Sequence, residues 1–173
     1  ILYLKKMILG LIPSRLNSSR LKEKPLLEID KLPLIVHTLK RAMLSKKLDK
    51  VIVCTDSEKI VEIVKKYGGE AVMTSPNHKN GTERIAEVAK SYKAELIVDI
   101  QGDEPLVNPM DIDMVIDFHK KNSHFDIVVP CVVTENSSSP HVIKVIKTLG
   151  NKILYFSRAQ VPYVFRKNQP EFY

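Results

Sequence analysis

Five short runs of aliphatic and β-branched residues punctuate the chain: MILGLI (7–12), KVIVCT (50–55), EAVMTS (70–75), ELIVDI (95–100) and DIVVPCVV (126–133). Runs that are apolar at nearly every position suit strands buried on both faces of a sheet, not strands with one wet face. Between them the period changes to that of a helix. Ile35, Leu39, Ala42 and Met43 recur on one face of 34–45, and Ile60, Val61, Val64 and Tyr67 do so in 57–67. The second of these opens with TDSE (55–58), which has the form of a capping box, and stops at Gly68-Gly69. A third helix is expected over 81–92. A fourth is expected over 108–121, with Asn108 as cap and Pro109 in its first turn. Strands alternating with helices predict an α/β domain with a mostly parallel sheet and helices on both faces. At 173 residues, the whole of 1–173 is expected to be one domain. VIKVIK (142–147) and KILYFS (152–157) read as two further strands around a turn at Gly150-Asn151.

Open parallel sheets bind ligands beyond the carboxyl ends of their strands. The polar segments after the first, third and fourth runs are therefore where chemistry is expected. After the first run comes PSRLNSSRLKEK (13–24), with Arg15, Arg20, Lys22 and Lys24 against a single acid, Glu23. Arg15 and Arg20 can fork onto phosphate oxygens while Lys24 offers a point charge, so an anion with several oxygens is expected there. The loop lacks the G-x-x-x-x-G-K-S/T and G-x-G-x-x-G patterns of the common phosphate loops. After the third run, NHKNGTER (77–84) places Gly81, Thr82, Glu83 and Arg84 at a helix start, where anions are favoured; capping by Asn80 would account for it equally. His78 has no Cys or His at metal spacing and is read as a surface residue. After the fourth run, QGDEP (101–105) sets Asp103 and Glu104 just past a strand end. Magnesium is commonly held by one or two such carboxylates together with phosphate oxygens and water. A cation cluster and a metal carboxylate at the same end of one sheet point to a nucleotide site.

Composition narrows the classes. The net charge of +7 suits an anionic partner without choosing one. Aromatic residues are only 6% and Trp is absent, so stacking platforms for nucleic acid are poorly supplied and no nucleic-acid partner is expected. No apolar run approaches the ~18–20 residues of a membrane span, and none of the opening residues has the form of a secretory leader. Cys54 and Cys131 lie in apolar runs and are expected to be buried free thiols. A cytoplasmic protein is the expectation.

Taken together, these loops resemble those of the 3-deoxy-manno-octulosonate (Kdo) cytidylyltransferases, the CMP-Kdo synthetase family. IPSRLNSSRLKEKPL (12–26) is similar to that family's I-P-A-R-x-x-S-S/T-R-L-P-G-K-P-L. GTER (81–84) and QGDEP (101–105) match outright, and IKVI (143–146) and YFSRAQVPY (155–163) follow in the family's order. The resemblance implies a Rossmann-like nucleotidyltransferase fold and transfer of CMP from CTP to Kdo. Pyrophosphate would be released, Mg²⁺ required, and the product used in lipopolysaccharide biosynthesis. It also implies that Arg15, Ser19, Arg20 and Lys24 hold the triphosphate. Thr82 and Arg84 would read the cytosine, Asp103 would bind the metal, and Gln101 and Arg158 would contact the sugar acid. Arg15, Lys24 and Asp103 would be the groups closest to the chemistry.

The family's P-G before the loop lysine is Lys22-Glu23 here, and EIDKLPLI (28–35) replaces a glycine-containing N-G-K-P turn. The family also continues for roughly a third more chain, with a H-x-G-I-Y segment, a second metal-binding Asp and much of a homodimer contact. The expectation is therefore a truncated domain whose turnover by itself is doubtful. Two other readings stand beside this one: a cytidylyltransferase for another keto-acid sugar, such as 8-amino-Kdo or a sialic-acid-like acid, and a nucleotide-binding module without turnover.

Overall fold

The computed structural model describes residues 7–17, 21–134 and 138–163. They fall into two compact units, residues 1–128 and 129–173. In the first unit, β1 (Met7–Ser14), β4 (Lys50–Thr55), β5 (Glu70–Met73) and β6 (Ala94–Asp99) form a four-stranded sheet in the order β5-β4-β1-β6. Every pairing in it is parallel. The chain leaves β1 for β4 and β5 on one side, then crosses back to lay β6 on the other. The strand order thus reverses between β1 and β6, the kind of crevice at which open α/β sheets bind ligands.

The near-continuous apolar character of β1 is explained by its two covered faces. Ile8 and Ile12 point to one side, against Ile35, Val36 and Leu39 of α1 (Leu34–Ala42), Ile60 and Val64 of α2 (Glu58–Lys66), and Ile112 and Ile116 of α4 (Pro109–Lys121). Leu9 and Leu11 point to the other, against Ile85 and Val88 of α3 (Gly81–Ala89), with Ile52 and Cys54 alongside. Leu9, Leu11 and Ile12 are wholly buried. Each such side chain contributes about 1.5–3 kcal/mol on burial, so the sheet centre is the anchor of the fold.

The expected helices and their ends are present with small shifts. Asn80 Oδ1 accepts the Glu83 N–H at 2.8 Å at the start of α3, and Asn108 Oδ1 accepts the Met110 N–H at 3.1 Å at the start of α4. Gly68 and Gly69 close α2 by donating to Lys65 O and Val64 O. The capping box expected at TDSE does not form. Ser57 is the cap residue but makes no side-chain cap bond, and Thr55 Oγ1 instead accepts the Ser57 N–H at 3.3 Å. Asp56 is thereby left free for a partner elsewhere. A hairpin that the sequence reading did not foresee, β2 (Glu28–Ile29) with β3 (Leu32–Pro33), leads into α1. Its turn residues Asp30 and Lys31 take φ of 47° and 66°, left-handed values usually given to Asn or Gly in tight hairpins.

The second unit holds β7 (Lys144–Lys147) paired antiparallel with β8 (Ile153–Ser157), around the expected turn. Asn151 supplies the left-handed residue of that turn, at φ 62°. Lys144 is buried, and its ammonium donates to the carbonyls of Ser139, Val142 and Arg158 at 2.8, 2.9 and 2.7 Å.

The expected strand at 126–133 does not form. Among the described residues these pair with no neighbour, and Ile127, Val132 and Val133 are exposed. β-Branched side chains favour extended backbone, but a strand also needs a ladder partner, and Pro130 removes one donor from the run. Cys131 lies in this segment and is exposed, so only Cys54 is the buried thiol expected of both.

Candidate functional site

The three loops singled out by the sequence meet at Pro13, near the carboxyl end of β1. A Cβ placed on Gly81 would lie 3.1 Å from Pro13 Cγ, and one placed on Gly102 would lie 2.7 Å from Pro13 O. Glycine at both positions is thus a matter of space: the GTER and QGDEP segments close on the basic loop from opposite sides. A side chain at Gly102 would force the backbone there or at Pro13 to shift.

Beyond Pro13, Arg15 lines a cleft of about 450 Å³ together with Leu16, Asp56, Lys59, His78 and Arg84. Its wall is built on one ion pair. Arg84 Nη2 lies 2.9 Å from Asp56 Oδ2, with side-chain exposures of 4% and 16%. The other oxygen, Asp56 Oδ1, accepts the Leu16 N–H at 3.1 Å, which ties the basic loop to the same carboxylate. Arg84 Nη1 donates to Thr74 Oγ1 and, at 3.4 Å, to Ser75 O. A second pair closes the rim: His78 Nε2 and Glu87 Oε2 are 2.5 Å apart, and Glu87 Oε2 also accepts the Ser75 N–H at 3.0 Å. The His78 bond, then the Ser75 N–H, hold the Glu87 carboxyl below its ordinary range. His78 is thus a loop residue at the surface, as expected, and it stands at the rim of the cleft.

On the β6 side, Lys24 Nζ donates to Asp103 Oδ2 at 2.6 Å, with side-chain exposures of 35% and 52%. The cation and the carboxylate that the sequence singles out are thus neighbours although 79 residues apart in sequence. Gln101 Nε2 donates to Asp99 Oδ1 at 3.0 Å. Desolvation at the strand end holds the Asp99 carboxyl above its ordinary value, and the Gln101 bond only partly offsets it. Among the described residues no three His, Cys, Asp or Glu converge into a metal-binding group.

Arg15 and Arg84 share the cleft, while Lys24, Gln101 and Asp103 stand on the β6 side of Pro13. Thr82 is exposed on the first turn of α3 and does not line the cleft. Arg158 belongs to the second unit, where its Nη1 donates to Pro140 O at 3.1 Å. Ser19 and Arg20 lie outside the described residues. Asp56 was missed because TDSE reads so readily as a helix start. Its signal was available: it is the first residue after β4, at the same end of the sheet as the loops that were searched.

A parallel sheet of reversed strand order, helices on both faces and polar loops at its carboxyl ends is the α/β architecture of the nucleotidyltransferases, as the structural match below bears out. Residues 9–173 match the cytidylyltransferase family, and the chain belongs to it. It is 40% identical over 167 residues to a 3-deoxy-manno-octulosonate cytidylyltransferase of Chlamydia pneumoniae, covering 94% of this chain and 66% of that relative. It is 42% identical over 158 residues to one of Chlorobium limicola, covering 88% and 64%. A solved CMP:2-keto-3-deoxy-manno-octonic acid synthetase complexed with CTP superposes with a TM-score of 0.81 at 32% identity, covering 91% of this chain and 66% of that one. The chain thus spans about two thirds of the length of these proteins. Among the described residues no helix is long and apolar enough to cross a membrane.

Proposed function

We propose that this chain carries the nucleotide-binding part of a Kdo cytidylyltransferase, which transfers CMP from CTP to a 3-deoxy-octulosonate sugar acid and releases pyrophosphate. The observation that carries this reading is the meeting of the IPSR, GTER and QGDEP loops around Pro13, which sets Arg15, Lys24, Asp103 and Arg84 at one end of the sheet. The cytidylyltransferases it is similar to support it. CTP and the sugar acid are the proposed partners, with a homodimer as the assembly. The cytoplasm is the proposed location, and supply of activated sugar for lipopolysaccharide the proposed role.

In this reading the sugar hydroxyl attacks the α-phosphorus, the bond to the bridging oxygen breaks, and pyrophosphate carries the electron pair away. The protein positions the reactants and neutralises charge; no side-chain nucleophile is needed. Arg15 and Lys24, with Ser19 and Arg20 of the same loop, hold the triphosphate, and Lys24 leaves Asp103 for a phosphate oxygen as CTP enters. The cleft wall at Asp56, Pro76 and Arg84 faces the cytidine, with Thr82 on the approach. Gln101 is assigned to the sugar acid. A single half-exposed carboxylate fits a divalent cation that arrives on phosphate oxygens, so Asp103 would hold Mg²⁺. When bound, that ion polarises the phosphoryl group and screens the charge that develops on it.

The test is pyrophosphate release with CTP and Kdo, run on the 173-residue chain and on the same chain extended with the C-terminal third of the Chlamydia relative. The extended protein should turn over CTP in preference to ATP, GTP and UTP, and Kdo in preference to sialic-acid-like acids. Equal pyrophosphate release from all four nucleotides would refute the cytidylyl assignment.

A further inference from the structure

We propose that Thr38 and Arg41, on one face of α1, are positioning residues that fix Asp103 for its metal. This rests on the assignment of the metal to Asp103 made above. Thr38 is wholly buried in a helix face that is otherwise aliphatic, among Ile35, Val36, Leu39 and Ala42. A hydroxyl there is costly unless it is bonded. The usual outlet for a helical Thr is the carbonyl four residues back, and here that oxygen, Leu34 O, is 3.5 Å away, at the outer limit. The nearer acceptor is Gly102 O at 3.2 Å, the carbonyl immediately before Asp103. One helical turn further on, Arg41 Nε donates at 2.6 Å to Val107 O, at the far end of the same loop.

Between these two anchors the loop is a pair of successive turns. Glu104 N–H donates to Gln101 O and Val107 N–H to Glu104 O, each at 3.1 Å. The carbonyls of Gly102 and Val107 are among those that pattern leaves over, and α1 takes both. Among the described residues Asp103 has only the exposed Lys24 as partner, and an exposed pair of this kind contributes little. Its placement therefore depends on the backbone on either side of it. The backbone is held from below by Thr38 and Arg41, and from the β1 side by the close approach of Gly102 to Pro13. A lone carboxylate binds a cation well only when it stands where the phosphates present theirs, and loop drift of about 1 Å is enough to lose that match.

The experiment measures CTP affinity of the 173-residue chain by calorimetry, with Mg²⁺ and with EDTA, and Mn²⁺ binding in the presence of CTP by electron paramagnetic resonance. The variants are Thr38→Val, nearly isosteric, Thr38→Ser, which restores the hydroxyl, and Arg41→Met, which keeps the stem. Thr38→Val should weaken Mg²⁺–CTP and Mn²⁺–CTP binding about fivefold, the loss of one net hydrogen bond, and leave metal-free CTP binding unchanged. Thr38→Ser should recover the parent value, and Arg41→Met should shift in the same direction as Thr38→Val. Should Thr38→Val fail to fold, Arg41→Met decides by itself. Lower melting temperatures with unchanged metal–CTP affinity would make the two residues purely structural and overturn the inference. Equal weakening with and without metal would overturn it as well. If the parent chain binds CTP equally in Mg²⁺ and EDTA, the metal assignment of Asp103 fails, and this inference with it.

Discussion

Replacing Arg84 by Met removes the guanidinium that joins Asp56, Thr74 and Ser75 and leaves an apolar stem of similar reach. Its side chain is only 4% exposed, so water cannot restore the lost bonds at that position. Removing one partner of a buried ion pair costs about 3–5 kcal/mol. The lower end applies here, because Asp56 is 16% exposed and keeps the Leu16 N–H, and Thr74 Oγ1 keeps its own bond to Thr55 O. A loss of about 3 kcal/mol corresponds to a fall of about 6–12 °C in melting temperature for a chain of this size. Urea unfolding followed by circular dichroism measures it. Asp56→Asn should be similarly costly. The double variant should cost less than the sum of the two, by about 1–3 kcal/mol, because the second change removes a partner already orphaned. A cost below about 1 kcal/mol for Arg84→Met, or strict additivity, would mean that the pair behaves as a solvated one and that the cleft wall does not depend on it.

Three further outcomes follow from particular residues. Ser14 Oγ is buried at the end of β1 and has no hydrogen-bond partner among the described residues, so Ser14→Ala should raise stability by about 1 kcal/mol in urea melts. The turn at Asp30-Lys31 holds two left-handed residues without a glycine; replacing them by Asn-Gly should stabilise the chain by about 1 kcal/mol, and a loss would show that the turn is otherwise held. Burial pushes the Cys54 thiol up to about 12, whereas Cys131 is exposed, so an aromatic disulfide reagent at mildly alkaline pH should label Cys131 in the native chain and reach Cys54 only on unfolding, as peptide mapping would show.

The parts of the fold legible in the sequence are those set by a local period or by burial on two faces. Strand β1 is the clearest case: Leu9 and Leu11 face one layer and Ile8 and Ile12 the other, so the run could only be the middle of a covered sheet. Caps at Asn80 and Asn108 were legible for the same local reason. What failed was whatever depended on a distant partner. DIVVPCVV has the side chains of a strand, but pairing is a relation between two segments, and no period within one of them reports it. Asp56 fails in the opposite direction. TDSE satisfies a local pattern so well that it hides a carboxylate whose partners, Leu16 and Arg84, lie 40 and 28 residues away. The placement of the charged loops was legible because polar segments are expected at strand ends, and Lys24 does meet Asp103 there. Yet the elements that hold those loops are read only in three dimensions. Nothing in IVHTLKRA separates Thr38 from an ordinary helical threonine until Gly102 O is seen above it. A site of this kind is therefore half visible in sequence: the groups that would touch a ligand announce themselves by charge, while those that aim them look like any other residue of a core helix.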